Sequence, residues 1–71
     1  MNFRLSTRES QILREVINGR TNHIIANKLY ISNATVKAHV STLIQKLKVD
    51  NRVQLAVAGV CMLMDQINFD E

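Results

Sequence analysis

Proline is absent from the 71-residue chain and glycine occurs only twice. Those two residues punctuate most tight turns, so a β-sandwich of this length would lack the turn formers it needs, whereas an all-helical fold needs few breaks. The aromatic residues are Phe3, Tyr30 and Phe69 alone, which leaves the core to Leu, Ile and Val. The single cysteine, Cys61, cannot staple the fold, and this points to a reducing, cytoplasmic setting. No uncharged apolar stretch reaches the roughly 18 residues of a membrane helix. The first residues also lack the apolar run of a secretory signal, so no membrane partner is expected. The length suits one small domain, taken as residues 1–71, with a core over about 5–64 and an acidic tail over 65–71.

The same shortages weigh against catalysis. A scaffold this small rarely encloses a substrate pocket. The only histidines, His23 and His39, have no acid beside them in the sequence with which to build a catalytic set. Together with Cys61 they fit no zinc spacing, so neither a metal nor another cofactor is expected.

Carboxylates are missing from the middle of the chain. Between Val16 and Val49 stand Arg20, Lys28, Lys37, Lys46 and Lys48, while Glu9, Glu15, Asp50, Asp65, Asp70 and Glu71 all lie outside. A surface that faces a polyanion needs such a purge. A solvated face that happens to be basic has the same composition, and charge alone leaves both readings open.

What the chain does have is helical periodicity. Ser6-Thr7-Arg8-Glu9 has the spacing of a capping box. Ile12, Leu13, Val16 and Ile17 then form one stripe, and Asn18-Gly19 ends the helix, with Gly19 suited to a left-handed cap. A short second helix is expected over Asn22–Tyr30, capped by Thr21. Ile24, Ile25 and Leu29 are read as turned inward there, and Ala26 as permitting close approach. Ser32 caps a third helix over Asn33–Lys48, whose Val36, Val40, Leu43, Ile44 and Leu47 make a continuous apolar stripe. Its opposite face carries Ala34, Lys37, Ala38, Ser41, Gln45 and Lys48. A fourth helix runs from Asn51 or Arg52 to Met64, capped by Asp50 or Asn51. It is apolar on nearly every side, so one face is expected to meet the core and another a second chain. Cys61 is read as a small buried or interfacial apolar residue. From Asp65 the periodicity lapses, and fraying is expected.

Two short helices joined by a tight turn, the second longer and Ser-capped, suggest a helix-turn-helix. The major groove of B-DNA admits one such helix if small residues stand where it approaches the bases. At this point the residues resemble a known family. Leu5-Ser6-Thr7-Arg8-Glu9, Gly19-Arg20-Thr21-Asn22, Ile25-Ala26, Ile31-Ser32, Thr35-Val36-Lys37-Ala38-His39, Lys46-Leu47, Val49 and Arg52 are similar, at matching spacing, to the LuxR-type helix-turn-helix, also called the GerE or NarL/FixJ output domain. The likeness covers roughly Leu5 to Val60.

The resemblance implies a four-helix DNA-binding domain of a bacterial transcription regulator, cytoplasmic and nucleoid-associated when bound, with helix 3 in the major groove. It implies that Lys37, Ala38 and Ser41 read base edges and that Thr35 and Lys46 contact the backbone. Gln45 reads as a base contact or as mere exposure, and Asn22 as a cap or as part of a phosphate site at a helix N-terminus. Dimerisation is implied through the start of helix 4, with Val53, Val57 and Val60 outward and Leu55 and Ala56 inward. Double-stranded DNA, a second copy of the chain and RNA polymerase are the candidate partners. The chain departs from the family pattern at three places. Ser41 stands where a long side chain is common, His23 and Ile24 where Lys and Glu are common, and Gly59 where alanine is usual. The rival reading is a protein-interaction module that uses helix 4, with the basic face incidental.

Overall fold

Each helix begins where a short polar side chain can take up amides that the first turn leaves free. In a computed structural model, described for residues 4–66 with side chains through Met64, four helices follow: α1 Thr7–Ile17, α2 Asn22–Leu29, α3 Asn33–Leu47 and α4 Arg52–Gln66. No strand occurs among the described residues, and the all-α expectation holds. The capping box of α1 is complete, since Glu9 N–H donates to Ser6 Oγ at 3.0 Å and Ser6 N–H to Glu9 Oε1 at 2.9 Å. Thr21 Oγ1 accepts from Ile24 N–H at 3.3 Å, and Ser32 Oγ from Thr35 N–H at 3.0 Å. Of the two cap candidates for α4, Asn51 takes the role. Its Oδ1 accepts from Gln54 N–H at 2.9 Å, and Gln54 Oε1 accepts from Asp50 N–H at 2.8 Å.

The first three helices end on residues with left-handed backbone: Gly19 at φ 79°, Tyr30 at φ 59° and Lys48 at φ 56°. The last two are therefore caps rather than members of their helices. α2 and α3 each stop one residue short of the span read from the sequence. α4 continues through Gln66, past the break expected at Asp65. The rest of the acidic tail, residues 67–71, lies outside the described residues, as does Phe3.

The core is aliphatic: Ile12, Leu13 and Val16 from α1, Ile25 and Ala26 from α2, Val36, Val40, Leu43 and Leu47 from α3, and Leu55 from α4. α1 packs on α4 and α3, α2 packs on α3, and α3 also meets α4. Ile24 corrects the sequence reading, being 44% exposed rather than inward. Successive helical residues point about 100° apart. In an eight-residue helix the narrow buried stripe holds Ile25, Ala26 and half-buried Leu29, and Ile24 falls outside it.

At Gly59 α4 lies close against α1: a Cβ there would stand 2.7 Å from Ile17 Cδ1 and 3.0 Å from Leu13 Cδ1. With Leu55 fully buried on that side, Val53, Val57 and Val60 are left 74%, 58% and 41% exposed, matching the outward assignment. Cys61 is exposed beside them, so the buried alternative for it is wrong: the helix is too peripheral for one small core to cover both faces. No helix of the described residues is long and apolar enough to cross a membrane.

Candidate nucleic-acid interface

The outer face of α3 is set by its inner one. Burying Val36, Val40, Leu43 and Leu47 turns Ala34, Lys37, Ala38, Ser41 and Gln45 outward together, and all five are exposed. Most of that face is short, so the helix backbone can come near whatever it docks against. Lys37 rises above it flanked by alanines and Ser41, with no carboxylate within bridging distance among the described residues. Thr35, one turn from the helix start, is exposed, and its hydroxyl shares a 2.9 Å hydrogen bond with that of Ser32. Ser32 Oγ also accepts the Thr35 amide, so one of the two hydroxyl protons is left free to donate outward.

The cations of the acid-free stretch do not all stay free in space. Glu15 is bracketed by Lys28 at 3.0 Å and Arg20 at 3.6 Å. Lys46 Nζ donates to Glu9 Oε1 at 2.8 Å and to the Arg4 carbonyl at 3.1 Å. The stretch lacks acids in sequence because its acids arrive from α1. Lys37 and Lys48 keep no carboxylate partner among the described residues.

Glu9 is nearly buried. The Lys46 ammonium first, and then the Ser6 amide, hold its carboxyl below the ordinary glutamate range, against the upward push of burial. Lys46, expected as a backbone contact, also cross-braces the last turn of α3 to the first turn of α1, its side chain still 40% exposed. Asn22 holds a contact within the fold as well. Thr21 is the cap, and Asn22 Oδ1 accepts from Arg52 Nη1 at 2.6 Å while Arg52 Nη2 donates to the Arg20 carbonyl at 2.7 Å. Arg52 thus ties the start of α4 to the start of α2. No local pattern in the sequence gives Arg52 this role, because its partners lie some thirty positions upstream.

The α1–α4 seam leaves a cleft of about 90 Å³ lined by Leu5, Leu13, Ile17, Gly59 and Met62 among others. It is far smaller than the few hundred Å³ that usually hold a small molecule. Among the described residues, no three His, Cys, Asp or Glu side chains converge as metal ligands would.

A short helix, a three-residue turn and a capped longer helix with a small, acid-free outer face, braced by two further helices, make a helix-turn-helix domain of the kind found in DNA-binding regulators. Residues 4–58 match the family described as bacterial regulatory proteins, luxR family, and the chain belongs to that family. It is 47% identical over 58 residues to the uncharacterized transcriptional regulatory protein YhcZ of Bacillus subtilis (strain 168), covering 82% of this chain and 27% of that protein. It is 41% identical over 56 residues to the transcriptional regulatory protein DegU of Brevibacillus brevis, covering 79% and 24%. With the nitrate/nitrite response regulator protein NarL of Escherichia coli (strain K12) it shares 42% over 53 residues, covering 75% and 24%. The chain spans about a quarter of the length of these relatives, all of which are named as regulators and none as an enzyme.

Proposed function

We propose that this chain, as a single helix-turn-helix domain, binds double-stranded DNA sequence-specifically and regulates transcription, with α3 lying in the major groove. The observation that carries this reading is the outer face of α3. Five neighbouring exposed residues, Ala34, Lys37, Ala38, Ser41 and Gln45, leave the helix slim and acid-free, and its one cation has no carboxylate partner while three others nearby are held by Glu9 and Glu15. Lys37, Ala38 and Ser41 meet base edges, Lys37 suiting guanine O6 and N7 and Ala38 a thymine methyl. Gln45, a turn further on, reaches an adenine edge or a phosphate. The free hydroxyl proton of the Ser32–Thr35 pair goes to a phosphate. So do the amides at the start of α2, which Asn22 and Arg52 hold in place. Lys46 contributes its charge from behind, beside Glu9.

Dimerisation through Val53, Val57 and Val60 follows from their exposure, because apolar residues left in water along one helix face favour a second copy. A pair of short helices buries less than the roughly 1,200 Å² of a standard interface, so the pairing forms mainly on DNA. A cytoplasmic, nucleoid-bound regulator would also come within reach of RNA polymerase. Selection of bound sequences from a random duplex pool tests the reading. It should converge on a site with two half-sites related by two-fold symmetry. A pool that stays random, or a protein that retains no DNA, would refute it and leave the protein-interaction reading of α4.

A further inference from the structure

Among the described residues Tyr30 is the most exposed of the large apolar side chains, with 94% of its surface in solvent. Its hydroxyl has no hydrogen-bond partner among the described residues. It closes α2 in left-handed backbone, φ 59° and ψ 43°, its N–H donating to the Ala26 carbonyl. Glycine or asparagine fits such a cap with less strain, so neither packing nor turn geometry accounts for a tyrosine there.

Its place in the fold does. Tyr30 stands at the junction of the two helices, two residues before the Ser32 cap and seven before Lys37. When the second helix of such a pair enters the groove by its N-terminal end, the first crosses the sugar-phosphate backbone. A side chain at the junction then overhangs the phosphates at the groove edge. Of the other neutral side chains in that region, Asn22 accepts from Arg52 through its Oδ1, and Ser32 and Thr35 share a hydrogen bond with each other. Tyrosine hydroxyls are among the groups that bind phosphate oxygens. We propose that Tyr30 Oη donates a hydrogen bond to a DNA phosphate beside the groove that α3 enters. The proposal rests on the DNA-binding reading and adds to it a neutral clamp at the turn, one that fixes register without reading sequence.

The experiment measures binding of the wild type, Tyr30→Phe, Tyr30→Asn and Lys37→Ala to a duplex selected from a random pool and to a random-sequence duplex, with the Tm of each protein. Tyr30→Phe should keep the wild-type Tm and lose about tenfold in affinity on both duplexes. The salt slope should not change, since a neutral hydroxyl displaces no counterion. Tyr30→Asn should lose at least as much affinity while its Tm rises, because asparagine accepts the left-handed cap more readily. If Tyr30→Phe binds both duplexes as the wild type does, the clamp is refuted, and a lowered Tm in Tyr30→Asn would equally refute it by giving the ring a role in the fold. Should Lys37→Ala still weaken the selected duplex, the DNA reading stands and only the Tyr30 assignment falls. A wild type that binds neither duplex removes both.

Discussion

Lys37 and Lys46 look alike in the sequence, two lysines on one amphipathic helix, and differ completely in their surroundings. Lys37 stands alone on a slim face, and Lys46 is locked to a carboxylate contributed by α1. Truncating Lys37 to alanine should therefore cost about 1–3 kcal/mol on the preferred duplex and relax its selectivity, with no change in Tm, as binding titrations beside a thermal melt would show. Lys46→Met should do the reverse. It strands a nearly buried glutamate and should lower stability by about 1–2 kcal/mol, between the values for exposed and buried pairs, with selectivity unchanged. Glu9 also sets a pH dependence. Its folded carboxyl titrates below the ordinary glutamate range, so its stabilisation is complete at neutral pH and disappears as pH falls through the folded value. Between about pH 5 and pH 2 the wild type should lose more Tm than Glu9→Gln does. A parallel fall in both proteins would show that the pair contributes nothing. The Glu9 capping box was legible in the sequence because it is local. Its second partner was not, because Lys46 lies thirty-seven positions away.

At the scale of helices, the boundaries were readable to within a residue or two, since caps such as Ser6, Thr21, Ser32 and Asn51 act within one turn. The facing of α2 was read less well. Ile24 sits in a run with Ile25, and a short helix offers too few turns to show which of two adjacent isoleucines is buried. In α4 the two faces were separable, and they make distinct predictions. Val57→Asp should leave the helical circular dichroism and Tm unchanged, because the residue is 58% exposed, yet abolish cooperative binding to a duplex with two half-sites. An unfolded Val57→Asp would mean that this face belongs to the core. Gly59→Val should destabilise by about 1–3 kcal/mol in a denaturant titration, because Leu13 and Ile17 already fill the space its side chain would need. Gly59→Ala should be milder, the gain in helix propensity of about 1 kcal/mol offsetting a small shift of the Ile17 tip.

For the whole molecule, the decisive quantity is how much positive charge is free to meet a polyanion. Counted along the chain, the stretch from Val16 to Val49 offers five bases. In the fold, Arg20, Lys28 and Lys46 are paired with Glu15 and Glu9, and a one-dimensional count cannot foresee those contacts. Two to four neutralised phosphates per subunit, rather than five, then imply a slope of log K on log salt of roughly −2 to −4. The most direct test of the account is therefore the affinity for a selected duplex between about 50 and 300 mM salt, for the wild type and Lys37→Ala side by side. A slope in that range, with Lys37→Ala binding the selected duplex more weakly across it, is the result expected if α3 presents its outer face to DNA. A slope near zero, or a Lys37→Ala titration that overlays the wild type, would contradict it.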